Sequence, residues 1–500
     1  MTDAAAEAAT RLGVLDGALV VGYLAALVLL GWMRARRGRG EAAATEFLLA
    51  GRTLTLPGFV ATLVSTWYGG VLGVGEYSYR YGLSNWIALG GPYYVAGLLF
   101  ALLFASRARR ADLVTVPERL LRDHGPAVAT LGAAVVLVNT LPAAYLLMLG
   151  VLLRRSFGMS LAAGVLLAGG FSMLVVLGSG FRAVVRTNAL QFALMYGGFL
   201  LVLPFAWREA GGLGALAALP PECLSWDGGL GVQAVLVWYV IALQTLVEPT
   251  FYQRCFAART PAVARRGVLV SVAFWVVFDG LTTLTGMFAR VLVPGLEHPV
   301  EAYPALADQV LPPVARGAFY VGMLATVMST VESYLFVGAT TLGFDLPLLA
   351  RAWRRGWSGQ QAIARFRREA PARRATRIGL ALVTAAAVGL AIVAPTVIGL
   401  WKAVGSIVTP ALLLPLAGGF LPRLRAGPRA TLVSMIASAG LAAAFVLAGA
   451  VRGGGPVLGI EPIFPALAVS IVCHVPAWLR RDTIARDVAN WDERTGEPDR

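Results

Sequence analysis

Charge is scarce in this chain. Of its 500 residues only 14% are Asp, Glu, Lys or Arg, 58% are hydrophobic, and the mean hydropathy is +0.72. A soluble domain carries about 25% charged residues, so an ordinary soluble globule is excluded. Cysteine is scarcer still: Cys223, Cys255 and Cys473 lie far apart, which gives neither a disulfide framework nor a metal-ligand spacing. The histidines His124, His298 and His474 are scattered too, so zinc and redox chemistry have no ligand cluster. Lysine occurs once, at Lys402, and no GxxxxGKS or GxxxxGKT stretch exists to cradle a nucleotide. Hydrolysis of ATP on this chain is not expected. No His-Asp or Glu-His constellation suggests an enzyme either.

What the chain does have is long apolar runs. Thirteen approach the roughly 20 residues that cross a hydrocarbon layer as a helix: 15–34, 57–77, 84–106, 127–153, 160–179, 187–206, 231–251, 267–290, 314–338, 375–396, 399–421, 429–450 and 459–479. Barrel strands would alternate over about ten residues. These runs are continuous, so helices are the spanning structure and the fold class is an all-α polytopic membrane protein.

The formal net charge of +15 invites a nucleic-acid reading. The basic residues, however, sit in alternate loops: RARRGRG after the first run, SRARR and PERLLRD after the third, QRCFAARTPAVARRG after the seventh, and RAWRR, RFRR and ARRATR within 351–377. This is the positive-inside pattern. No nucleic-acid partner is therefore expected, and the chain is assigned to a cytoplasmic (inner) membrane with its N-terminus outside and its C-terminus inside. The opening MTDAAAEAATRLG lacks a basic n-region, so the first run is expected to remain as a span. The polar residues after the last run are too few for a soluble module.

The second run, PGFVATLVSTWYGGVLGVGEYSY, places Gly69, Gly70, Gly73 and Gly75 in mid-span. Each glycine weakens a helix by roughly 1 kcal/mol relative to Ala. Such a segment suits a close-packed groove between helices, or a discontinuous helix whose freed carbonyls meet a cation and whose half-helix ends face a solute. STWYGG with the YRYGLS hinge, EFLLAGR at 46–52, TVPERLL at 115–121, GFRAVVRTNALQ at 180–191, YQRCFAARTPAVARRG at 252–267 and VMSTVES at 327–333 together resemble the sodium/solute symporter family. The resemblance runs in the family's order from about residue 46 to about residue 420.

The resemblance implies a five-plus-five inverted repeat with discontinuous helices, formed by spans 2–6 and 7–11. On that division residues 1–45 are an extracellular N-terminus and accessory first span, 46–210 the first repeat, 211–422 the second, 423–480 two accessory spans and 481–500 a cytoplasmic tail. It implies Na+ as coupling ion, bound between the second and ninth spans by carbonyls of Ser65, Tyr68 and Thr326 and hydroxyls of Ser329 and Thr330. The implied activity is symport, in which Na+ moves inward together with a small organic solute by alternating access. The partners expected are that solute, Na+ and the lipid bilayer, with no obligate protein partner evident. Proton-coupled or uncoupled transport, and a non-transporting sensor or subunit, are the alternatives.

The ninth run agrees on residue grounds. Thr326, Ser329, Thr330 and Ser333 recur at i, i+3, i+4 and i+7, which aligns four hydroxyls on one helical face. One such residue would simply bond back to the preceding turn; four facing a glycine-rich span favour ion ligation, since polar groups in a membrane turn to the protein interior or a water path. Glu332 lies off that face by the helical period and reads as a packing or cytoplasmic-exit residue.

Asp279 falls mid-membrane in FWVVFDGLTTLTG. It is a candidate for ion coupling, proton acceptance or pairing with a cationic solute, or else a hydrogen-bonded link between helices. The substrate-binding candidates are Trp67, Gly69, Gly70, Leu72, Tyr93, Gln244, Thr245 and Trp401. Tyr68 and Tyr94 are further aromatics for a central pocket. Glu248, beside a proline near the expected cytoplasmic end of the seventh run, reads as less well placed than Gln244 and Thr245. Lys402 reads as a residue snorkelling to the interface, or as part of an outer gate. One departure from the family pattern stands out. Where many members open the fifth repeat helix with Trp-Thr-Asp, this chain has Arg186, Thr187 and Asn188, which removes the carboxylate of a second sodium site and of the usual release route.

Overall fold

The computed structural model describes residues 12–32, 41–177, 180–368, 373–393, 396–452 and 457–479. The basic stretch at 34–40 and the tail at 481–500 lie outside them. Among the described residues, eleven helical stretches are long and apolar enough to cross a membrane and two more are shorter, together matching the thirteen runs. In chain order they are α1 Val14–Trp32, α2 Leu56–Tyr81, α3 Asn85–Arg110, α4 Pro126–Phe157, α5 Leu161–Val176, α6 Phe181–Ala210, α7 Val232–Ala257, α8 Pro261–Leu292, α9 Ala315–Arg354, α10 Arg374–Val393, α11 Val397–Phe420, α12 Pro428–Val451 and α13 Ile463–Leu479.

Burial ranks these spans from centre to edge. The most apolar window of α9 is 94% buried, against 28% in α1 and in α12. The helix with the hydroxyl stripe is thus the axis of the bundle, packed most extensively on α6, while α1 and α12 leave much of their apolar surface for lipid. Several span limits differ from the sequence reading. The ninth span continues to Arg354, and a further helix, Gly359–Arg368, occupies part of the expected 351–377 loop.

Three spans are interrupted near mid-length, each for a local reason. In α2 a single 3-10 turn, Tyr68–Gly70, separates two α-helical halves, a tighter break than full unwinding. The glycine groove and the discontinuity coexist there. In α7 the helix tightens at Leu243–Val247, Glu248 is extended, and a new helix begins at Pro249. Proline drives its predecessor out of the helical region and suits the first helical position because it has no N–H to satisfy. The Glu248 carboxylate caps the new helix by accepting from Thr250 N at 3.2 Å. In α4 the break spans Asn139 to Pro142, again at a proline. The two broken spans α2 and α7 are tied on the basic-loop side, where Leu54 N donates to Ala257 O (3.1 Å) and Arg259 N to Leu54 O (3.0 Å).

Candidate ion and substrate site

α9 crosses the break in α2 at very short range. Ser329 Oγ lies 2.7 Å from both the Ser65 and the Thr326 carbonyls, and the Thr330 hydroxyl donates to the Thr66 carbonyl at 2.6 Å. The approach depends on Gly69, because a Cβ at that position would collide with Thr330 Oγ1. Four of the five expected ion ligands, Ser65, Thr326, Ser329 and Thr330, are therefore buried together. A hydroxyl has one hydrogen and two lone pairs. If the Ser329 and Thr330 hydrogens turn aside, their oxygens and the adjacent carbonyls are neutral ligands of the kind suited to a hard cation. Tyr68 is turned elsewhere: its carbonyl accepts from Val71 N within the 3-10 turn, and its hydroxyl donates to Trp275 O at 2.8 Å. Thr66 supplies a carbonyl at the crossing that the sequence reading did not include.

One turn further along α9, towards the basic loops, the stripe meets a cation belonging to the protein itself. Arg254 Nη2 donates to Thr66 Oγ1 (2.9 Å), Ser333 Oγ (2.8 Å) and Thr62 Oγ1 (3.2 Å). Asn188 Nδ2 reaches the same three oxygens at 3.0, 3.3 and 2.8 Å. The guanidinium is fully buried, lies over the Phe181 ring and forms no ion pair among the described residues. Its hydrogen bonds all go to neutral oxygens, and the carboxylate that acts on its charge, without direct contact, is Glu248. Beside this cluster Glu332 accepts from Thr187 Oγ1 (2.7 Å) and Gln191 Nε2 (3.1 Å) of α6, the role of a packing residue between helices.

On the other side of the crossing the interrupted spans enclose a cavity of about 150 Å³. Trp67, Tyr68 and Gly70 line it from α2, Tyr93 from α3, Gln244, Thr245 and Glu248 from α7, Asp279 from α8, and Trp401 and Lys402 from α11. Trp67 stacks on Trp275 with centroids 5.2 Å apart and meets Tyr93 edge-on at 5.3 Å. Glu248 accepts from Asn139 Nδ2 (3.2 Å), Tyr334 Oη (3.1 Å) and Thr250 Oγ1 (3.0 Å). Asp279 accepts from Tyr94 Oη at 2.5 Å.

The family model described as the sodium:solute symporter family matches residues 47–416. The chain belongs to the sodium:solute symporter family. Among similar proteins, the sodium/pantothenate symporter of Haemophilus influenzae is 25% identical over 334 residues, covering 61% of this chain and 67% of that protein. The osmoregulated proline transporter OpuE of Bacillus subtilis is 23% identical over 482 residues, covering 91% and 92%. Among solved structures, a Na+-coupled sialic acid symporter superposes with a TM-score of 0.75 over 93% of this chain and 98% of that one, at 14% identity. At that identity the likeness is one of fold, an inverted-repeat transporter architecture.

Within this symporter most of the substrate candidates border one cavity: Trp67, Gly70, Tyr93, Gln244, Thr245 and Trp401, with Asp279 beside them. Two do not. Gly69 faces Thr330, and Leu72 is wholly buried in the core, off the helical face on which Thr66, Gly70, Gly73 and Tyr77 border the cavity. Glu248 needs the opposite correction: it borders the cavity alongside Gln244 and Thr245. The sequence reading closed the seventh span at 251 and counted Arg254 among loop charges, whereas α7 runs to Ala257 and buries it. Tyr145 and Tyr334 are lining residues that the sequence reading missed. The signal for Tyr334 was its place four residues after Thr330, on the same helical face. Lys402 donates to Glu461 at 2.6 Å, which links α11 to the start of α13.

Proposed function

We infer that this symporter couples inward Na+ movement to uptake of a small organic solute, with Na+ between α2 and α9 and the solute in the adjoining cavity. The observation that carries this reading is a shared wall. Residues 65 and 66 give carbonyls to the α9 crossing while Trp67, Tyr68 and Gly70, next in sequence, border the cavity. An ion that draws α2 against α9 therefore fixes the cavity wall, which is a coupling free energy between two sites. One Na+ crossing ~100 mV gains about 2.3 kcal/mol, and a tenfold gradient adds about 1.4 kcal/mol. Together these support accumulation of roughly several hundredfold.

Residues 46–210 and 211–422 form the two repeats on this reading, and α1, α12 and α13 are accessory. The protein resides in the cytoplasmic membrane with its N-terminus outside, as the basic loops suggest. The cavity is lined as far as Tyr77, Trp238 and Lys402, towards the span ends away from those loops, and on this reading the solute enters from that outer side. Its task is transport rather than catalysis.

Uptake into proteoliposomes tests the reading. It should rise with an inward Na+ gradient and lose that dependence in Ser329→Ala/Thr330→Ala. Equal uptake in sodium and potassium media would overturn sodium coupling. A proton gradient driving uptake in potassium medium would favour a second reading, in which Asp279, held by Tyr94 at the cavity edge, carries the coupling proton.

A further inference from the structure

The cavity has an unbalanced charge. Two carboxylates border it, Glu248 and Asp279. Among the described residues its one basic lining residue is Lys402, whose ammonium is engaged by Glu461 at 2.6 Å. The buried Arg254 lies behind the cavity with the α2 and α9 hydroxyls and is not part of its lining; the acid it acts on is Glu248, which leaves Asp279 as the lining carboxylate without a basic partner among the described residues.

The two acids differ in their surroundings. Glu248 has both oxygens occupied by neutral donors from Thr250, Asn139 and Tyr334, and it also caps a helix. Asp279 is held by tyrosine hydroxyls, Tyr94 at Oδ2 and Tyr68 beside it, keeps 7% exposure and borders the cavity. Gly90 permits this arrangement, since a Cβ there would lie 2.9 Å from Asp279 Oδ2. A carboxylate in low-dielectric surroundings is expensive to keep without an opposite charge.

We propose that the substrate is a small organic cation, an ammonium compound whose nitrogen pairs with Asp279 and whose carbon substituents lie against the aromatic wall of Trp67, Tyr68 and Tyr93. The proposal rests on the reading that this cavity is the solute site. Aromatic walls favour cations because the ring face carries negative potential, and they also bury the alkyl groups. An anionic solute would instead be repelled by two carboxylates, and a neutral polyol would leave Asp279 without a counter-charge. The volume sets the size: a cavity of about 150 Å³ admits a molecule such as benzene, which means on the order of ten non-hydrogen atoms or fewer.

The test uses the full-length protein in nanodiscs, titrated in sodium and in potassium media and followed by tryptophan fluorescence. The probes are ethylamine, ethanolamine, trimethylamine and choline, with the neutral analogue of choline in which carbon replaces nitrogen, and propionate. In sodium, at least one ammonium compound should bind about tenfold or more tightly than the neutral analogue and propionate. Asp279→Asn should bring that ratio close to one, and Asp279→Glu should restore most of it. Tighter binding of the neutral or acidic probe, no ammonium binding at all, or an unchanged ratio in Asp279→Asn would overturn the proposal. Sodium-22 binding to the same samples separates the two readings. Its presence with no ammonium selectivity defeats only the substrate assignment, whereas its absence from the wild type defeats sodium coupling itself.

Discussion

Replacing Asn188 with aspartate probes the ion path by charge. Thr66 Oγ1 lies 3.0 Å from Asn188 Nδ2 and 2.9 Å from Arg254 Nη2, so the two nitrogens are within about 6 Å of each other. Arg254 also touches Ser333, which is four residues, about 6 Å along the axis, from Ser329. A sodium ion on Ser329 would then sit roughly 8 Å from the guanidinium. Unit charges ~8 Å apart interact by about 2 kcal/mol at an effective dielectric constant of about 20. With asparagine at 188 the hydroxyl cluster itself carries no negative charge, and a carboxylate there would offset most of that repulsion. Asn188→Asp should therefore bind Na+ roughly tenfold to thirtyfold more tightly and release it more slowly, with a lower maximal uptake rate. Sodium-22 binding gives the affinity and proteoliposome uptake the rate. A half-saturation within about twofold of wild type, in a variant of unchanged elution profile, would refute the placing of the Arg254 charge beside the ion.

Three other perturbations follow from the same geometry. Gly69→Ala should push α9 from α2, lower the melting temperature by the equivalent of about 1–3 kcal/mol of overpacking and weaken Na+ binding; an unchanged melting curve would show that the crossing has slack. Glu248→Gln turns an acceptor with several donors into a group that presents its own N–H2 to one of them. Uptake should fall about tenfold or more while sodium-22 binding persists, and loss of both together would mean that the residue holds the whole bundle. His124, buried in the helix Val116–His124 on the basic-loop side, is pushed down to about 4 because burial disfavours its charged form. The unfolded chain takes up that proton near pH 6.5, so stability is complete above about pH 6.5 and declines as pH falls towards 4, by up to about 3 kcal/mol. His124→Gln should flatten that limb of a melting-temperature profile, and an equally steep limb would assign the loss to other groups.

The spans were legible because a lipid-crossing helix advertises itself by length, and the contact of α9 with α2 because Ser329 and Thr330 reach the carbonyls of Ser65 and Thr66; Thr326 and Ser333 bond back to the preceding turn of their own helix. What escaped had two physical causes. A hydropathy window sees charge but not its solvation, so Arg254 appeared to end α7, although three hydroxyls let it lie inside. Rotation about a broken helix is not written in composition either. Gly69, Gly70 and Leu72 were grouped by their closeness in sequence, yet Gly70 borders the cavity, Gly69 meets Thr330 and Leu72 is buried in the core. The interruption of α4 at Pro142 was hidden in an unbroken apolar run, and with it the partnership of Asn139 and Glu248.

Arg254 has a consequence for the electrical behaviour of the transporter. A dissociable ion enters the membrane field only when it binds, but a guanidinium fixed to α7 is present in every turnover, loaded or empty. If the two bundles rock against each other, this charge moves through part of the potential drop, and a full crossing would be worth about 2.3 kcal/mol per 100 mV. The empty carrier should therefore show voltage-dependent charge movement in sodium-free solution, and Arg254→Gln should change its size. Equal transients in the two proteins would show that the arginine stays fixed relative to the field. If the arginine does move, resetting the carrier is itself a voltage-sensitive step, and membrane potential governs how soon the next solute can be taken up.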